Sequence, residues 1–436
     1  MLLQMQGRRS RGAAPALVLA MVVLAGCDGG AATTQSPTQN PALVPAAITQ
    51  AKADNTPVSP QIVTADNEFG WSVLQALQAK QGPVNLFISP LSLSMALQVV
   101  YFGAAGTTQD AMAQTLQLGS WTKQQVNDAN AALQASFIDA DPQVQLQIAN
   151  SLWIHQSQSA VLPAFTQMDQ DYYGATIGDL AGAPQNVNAW VAQQTDGLIP
   201  AVLPPKPTDY SKVTAIIVNA VYFKGQWTTA FDPKGTQAAP FTLSDGTTVS
   251  VSMMNQTATF AYFRGADFQM VRLPYGQGRM SMLIVLPDAG QQLTDFLSHL
   301  TLTALDTSIS QMQSDYGGVA LPKFDISSSN QMGPTLTGLG MGVALTCPDP
   351  IRSALTADFS DLTPDPVCIE SVLHDARIQV DETGTVAAAV TTVPIEFTTV
   401  QGPEFSIVLD HPFLYAIRDD STGELLFIGT LLNPST

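Results

Sequence analysis

Apolar and polar positions are spaced differently in the two halves of the chain. In the first half, Met95, Ala96, Val99 and Val100 recur at the three-and-four spacing of a helix face. Ser89 and Pro90 offer a cap and a first-turn proline before them, and Gly103 can end the helix after them. Residues 188–195 read as a second helix. Further on, runs rich in β-branched and aromatic residues predict strands over 213–223, 279–286, 318–326, 372–380 and 405–417. Helices gathered early and strands gathered late predict the α+β class.

From residue 61 to residue 436 there is no fixed-period repeat and no low-complexity stretch, so this span reads as one large domain. Residues 27–60 contrast with it: Gly29, Gly30, Pro37, Pro41, Pro45, Pro57 and Pro60 give them the composition of a flexible tether. Ahead of the tether, residues 1–26 read as an export signal, with Arg8, Arg9 and Arg11 before an apolar run over 13–25 that is short for a membrane span. The run closes on Leu24-Ala25-Gly26-Cys27, which resembles the bacterial lipobox, in which the Cys is lipidated and becomes the new N-terminus. Cys27 is therefore the expected lipid anchor. The expected location is the bacterial cell envelope, on its periplasmic or cell-surface side, with a membrane contact through the lipid.

Composition narrows the chemistry. The formal charge is −18 with only 17 Lys and Arg, which argues against nucleic acid as a partner, since affinity for phosphates needs clustered cations. Loss of residues 1–26 would remove three arginines and bring the remainder to −21. Beyond Cys27 the cysteines are Cys347 and Cys368, which can pair in an oxidising compartment or stay as two buried thiols. Neither has a further Cys or His at a ligand interval, so no metal or cofactor is expected. Of the four histidines, none lies in an H-E-x-x-H pattern, and there is no G-x-S-x-G elbow or Walker loop. The glycines at 338, 340 and 342 fail the dinucleotide spacing because Val343 stands where the third would be. His374 shares its two-residue period with Val372, Ala376, Ile378 and Val380, which predicts a hydrogen-bonded core histidine, not a base. An enzyme is not expected.

Several separated motifs, in order, carry a resemblance. They include Asn85-Leu86-Phe87-Ile88-Ser89-Pro90-Leu91-Ser92, Gly103-Ala104-Ala105-Gly106-Thr107-Thr108 and Asn219-Ala220-Val221-Tyr222-Phe223-Lys224-Gly225-Gln226-Trp227. Leu273-Pro274-Tyr275, Leu321-Pro322-Lys323-Phe324, His411-Pro412-Phe413 and Phe427-Ile428-Gly429 follow. Residues 67–434 resemble the serpin family. The resemblance implies about nine helices on three β-sheets with an exposed reactive loop. It also implies a serine-type endopeptidase inhibitor that acts as a suicide substrate. The loop is cut, an acyl-enzyme forms, and the cut loop inserts into the central sheet from a metastable state, carrying the protease with it.

The loop's composition agrees with that use. Glu382, Gly384, Thr385, Val386, Ala387, Ala388, Ala389 and Val390 form a hinge almost free of charge and bulk. A strand sliding between two others must bury alternate side chains, here Thr385, Ala387, Ala389 and Thr391, and a charge among them would oppose insertion. Family spacing from Glu382 places the reactive bond at Thr398-Thr399, with Phe397-Thr398 as the alternative. No Lys or Arg occurs between Glu382 and Val400, which favours elastase-, subtilisin- or chymotrypsin-like targets over trypsin-like ones. Cysteine peptidases, or a non-inhibitory binding module on the same fold, are the alternatives. Pro394 motivates the latter, since a proline inside a central strand forfeits a ladder bond. Matching also assigns Ser89, Ser92, Asn219 and His374 to a polar cluster beneath the point where the sheet opens. Trp227, and Lys323 paired with Glu382, fall at the top of that opening. A monomer is expected.

Overall fold

The structure, a computed structural model, describes residues 44–204, 209–347, 356–385 and 402–435. The helices are α1 (Ala46–Ala53), α2 (Pro60–Gln81), α3 (Pro90–Gly103), α4 (Gly106–Thr115), α5 (Lys123–Phe137), α6 (Pro163–Tyr172), α7 (Gln185–Gln194), α8 (Leu293–His299), α9 (Leu302–Ser310) and the single turn α10 (Gly333–Leu336). The early strands are β1 (Leu86–Ile88), β2 (Val144–Ile154), β3 (Thr176–Asp179), β4 (Ala215–Gln226) and β5 (Gln237–Thr242). They are followed by β6 (Thr248–Arg264), β7 (Phe268–Tyr275), β8 (Met280–Pro287), β9 (Gln313–Pro322) and β10 (Phe324–Gln331). The last are β11 (Ser371–Asp381), β12 (Gly384–Thr385), β13 (Phe405–Val408), β14 (Phe413–Asp419) and β15 (Leu425–Leu431).

Helix α3 begins and ends where the sequence predicts. The Ser89 hydroxyl accepts from the Ser92 amide at 3.2 Å, Pro90 occupies the first turn, and Gly103 is its last residue. Every residue of α3 except Phe102 is buried, so it serves as a central pillar and not as an amphipathic surface helix. Two predicted strands are each broken in two. Residues 318–326 divide into β9 and β10 at Lys323, and 405–417 into β13 and β14 ahead of Pro412, which has no N–H to give a ladder.

Six strands form the central sheet in the order β10-β11-β12-β4-β2-β3. The nine others form a second sheet, β1-β15-β14-β8-β7-β6-β9-β13, with β5 added on β6. The three sheets implied by the resemblance are thus two hydrogen-bonded sheets among the described residues. The 17-residue strand β6 is long enough to pair with β7 at one end and with β5 and β9 along the rest, which makes two of the three continuous. One apolar core lies between the sheets around α3, with Phe87, Phe223, Phe413, Tyr275, Tyr415 and Phe427 among its largest fully buried side chains.

The tether expected over residues 27–60 differs from its described part, which begins at residue 44. Helix α1 lies within it, and Ile48 and Ala51 pack on Ala131, Ala135, Ile138 and Tyr172 of α5, its C-terminal end and α6. Lys52 donates to the Ile138 carbonyl at 2.5 Å. Proline-rich composition masked an eight-residue helix of about two turns whose Ile48 and Ala51 form a docking face.

Candidate functional site: the lane between β4 and β11

Strands β4 and β11 run parallel and are directly paired in seven rows, from Ser371 opposite Ile216 to Arg377 opposite Tyr222. Above these rows they part, and β12 occupies the gap. Its Thr385 is opposite both Val380 and Gly225, and its Gly384 opposite Asp381 and Gln226, antiparallel to both neighbours. Of the hinge that the resemblance implies, Gly384 and Thr385 are therefore a short strand paired on both sides in the central sheet. Gly384 has φ 148°, and a Cβ there would lie 2.1 Å from the Gly225 carbonyl oxygen, so only glycine fits. Thr385 is fully buried, on the face predicted to turn inward, and its hydroxyl is 2.7 Å from the Tyr275 hydroxyl. Val386, Ala387, Ala388, Ala389 and Val390, the bonds at Phe397, Thr398 and Thr399, and Pro394 lie outside the described residues, as does Cys27.

Aromatic rings frame the open end. Trp227 stacks on Tyr275 with ring centroids 4.4 Å apart and packs edge-on to Phe231, and Tyr275 meets Phe223 edge-on. The Trp227 indole donates to the Asp381 carbonyl at 2.9 Å, which fixes the turn between β11 and β12. The predicted ion pair is present: Lys323 Nζ is 2.7 Å from Glu382 Oε2. Thr236 donates to the other carboxylate oxygen at 2.7 Å. Burial opposes ionisation of Glu382, but the hydrogen bonds from Lys323 and Thr236 outweigh it and hold the carboxyl below its usual range.

Below the gap, the predicted polar cluster is assembled. The Ser89 amide donates to His374 Nε2 at 3.0 Å, which leaves the His374 proton on Nδ1 to donate to Asn219 Oδ1 at 2.5 Å. Asn219 Nδ2 in turn donates toward the Ser92 oxygens and Asn150 Oδ1. His374, Asn219, Ser89 and Ser92 are all essentially inaccessible, and burial drives the imidazole down to about 3. A neutral ring with both nitrogens engaged cannot serve as a base. The cluster is a polar bolt between β4, β11 and the start of α3. Sequence reading missed Tyr275 as a site residue, although it lies in the Leu273-Pro274-Tyr275 motif. Its partner Thr385 is 110 residues away, and only cross-strand pairing brings them together.

Cys347 and Cys368 form a disulfide, which settles the two options left by spacing. Among the described residues, the one grouping of three candidate metal ligands is Cys347, Cys368 and Glu370, and the disulfide takes both sulfurs.

A central sheet whose middle strands are paired below and parted above, with a short strand of the same chain in the gap, defines the class: proteins whose central sheet accommodates an added strand. Comparisons agree. Residues 64–434 match the family model described as "Serpin (serine protease inhibitor)". Human Serpin B9 is 32% identical over 382 residues, covering 85% of this chain and 98% of that protein. Human leukocyte elastase inhibitor is 30% identical over 389 residues, covering 86% and 100%. The native-state crystal structure of the thermophilic serpin Tengpin superimposes with a TM-score of 0.74 at 27% identity, covering 84% of this chain and 94% of that one. The chain belongs to the serpin family.

Proposed function

We propose that this serpin is an active inhibitor of serine endopeptidases with elastase-, subtilisin- or chymotrypsin-like specificity, and that it works by inserting its cleaved loop between β4 and β11. The observation that carries the reading is β12: the hinge is seated, paired on both sides, and its inward residue is buried without charge. The absence of Lys and Arg from Glu382 to Val400 supports the target class, and similarity to a leukocyte elastase inhibitor supports the same direction. Pro394 is compatible with this use. Continued in the register that β12 begins, an inserted strand brings residue 394 nine rows on, opposite Ser371 and Ile216, the last row in which β11 and β4 pair. At a strand's end a missing N–H costs little.

Mixed with pancreatic elastase, subtilisin or chymotrypsin, the protein should give a covalent complex that survives boiling in detergent. Mass spectrometry of the released fragment should place the cut at Thr398-Thr399 or Phe397-Thr398. Cleavage by all three with free protease recovered and no rise in Tm of the nicked protein would instead establish a non-inhibitory module on the serpin fold. A complex with papain alone would move the target to cysteine peptidases.

The same reading includes export and anchoring of a monomeric inhibitor through lipid on Cys27, supported by the signal-like residues 1–26. Labelled palmitate should enter the protein expressed in a Gram-negative host and be lost with Cys27→Ser. Equal labelling of both would exclude that anchor.

A further inference from the structure

The lower end of the lane is held together by contacts outside the polar bolt. Thr214, the residue before β4, donates its hydroxyl to the Cys368 carbonyl at 2.7 Å and accepts from the Cys368 amide at 3.3 Å. The same hydroxyl lies 3.3 Å from Cys368 Sγ. The Thr214 amide donates to Glu370 Oε1 at 2.7 Å, and the Glu370 amide donates to the Ala215 carbonyl at 3.0 Å. Five contacts therefore join Thr214 and Ala215, at the start of β4, to the last residues before β11, directly beyond the row of Ser371 and Ile216. Cys368 is fully buried, and its position is fixed from the other side by the disulfide to Cys347, which follows the turns after α10. The Ile369 amide adds a bond to the Ala344 carbonyl at 3.2 Å. Cys347 is only half-buried, so a small dithiol can reach the bond and reduce it by thiol–disulfide exchange, leaving two cysteine thiols while the dithiol closes to its own disulfide.

We propose that the Cys347–Cys368 disulfide, acting through Thr214 and Glu370, is a redox-controlled clasp at the closed end of the lane, which slows the parting of β4 and β11 when oxidised and releases it when reduced. The inference rests on loop insertion as the mode of action. Insertion must separate the seven paired rows from the open end downward, and the clasp is the last connection reached. With the disulfide intact, Cys368 presents a fixed carbonyl, amide and sulfur to Thr214. With it broken, Cys368 keeps no covalent tie to the α10 side, and the Thr214 contacts lose their rigid partner. The bond closes a loop with a sequence separation of 21 directly ahead of β11, and its loss opens that loop.

The test uses the full folded chain and a synthetic peptide with the sequence of residues 385–400, which competes for the lane. Peptide uptake is followed by native gel shift and by the rise in Tm, with and without dithiothreitol. Uptake should be at least several-fold faster in reductant and in the Cys347→Ala/Cys368→Ala double variant. Thr214→Val, which keeps both cysteines and nearly the same volume, should accelerate uptake without reductant. Equal uptake rates for oxidised wild type, reduced wild type and Thr214→Val would overturn the clasp. If no form takes up peptide, and nicking raises Tm in none, loop insertion itself is wrong, and the clasp falls with it. Far-ultraviolet circular dichroism before peptide addition checks that each variant is folded.

Discussion

At the scale of single residues, the state of the hinge depends on Gly384. Its φ of 148° and the 2.1 Å approach to the Gly225 carbonyl leave no room for a methyl group, and the atom in the way is backbone, which cannot swing aside. Gly384→Ala should therefore drive β12 out of the lane. The loss of its pairing, and of the Tyr275–Thr385 hydroxyl contact, should lower native stability by roughly 1–3 kcal/mol. Urea unfolding measures the first effect, and faster nicking of the loop by elastase reports the expulsion. Unchanged values for both would mean that the hinge does not occupy the lane. In the sequence Gly384 was legible as one of the hinge residues free of charge and bulk, whereas the structure shows it holding one tight conformation.

At the scale of elements, the helices and strands that carry family motifs were legible, because their signals are local. Ser89, Pro90 and Gly103 bound α3 by capping chemistry, and the two-residue period of β11 placed His374 among core residues. The elements misread are those decided by distant partners. Helix α1 was hidden in proline-rich sequence because its stability comes from Ala131 and Ala135 of α5, not from its own propensity. The break at Lys323 could not be read from an apolar run, since there the chain leaves β6, the partner of β9, and pairs as β10 with β11 of the central sheet. The join of two sheets through β6 depends on strand length and on three different partners, none of which periodicity reveals.

At the scale of the whole molecule, stability should depend on pH through buried acids in the core. Asp66 of α2 and Glu424 before β15 are fully buried. Asn67 brackets Glu424 by donating to the Gly423 carbonyl at 2.9 Å and accepting from the Leu425 amide at 2.8 Å. Burial pushes Asp66 up to about 7 against hydrogen bonds from Ser94 and Gln98. Burial, then the nearby Asp66 and Asp419, raises Glu424 well above the carboxylate range. The folded state keeps protons that the unfolded chain releases near pH 4, so stability falls as pH climbs from about 4 through 7. Asp169 and Asp375 act with the same sign. His374 acts oppositely: neutral when folded, it withdraws stability as pH drops below about 6.5 toward 3. Asp66→Asn should flatten the decline in Tm between pH 5 and pH 8, and an equally steep decline in that variant would show that Asp66 is not its source. The seating of β12 has a kinetic consequence as well. Beginning a new strand is the slow, unfavourable step of any zipper, and here that step precedes the encounter with a protease. In the proposed insertion, what remains after cleavage is propagation over nine rows, the last seven of them existing ladder between β4 and β11. In the proposed insertion mechanism the rate is then governed by how fast β4 and β11 unzip, and not by how often the cut end finds the sheet.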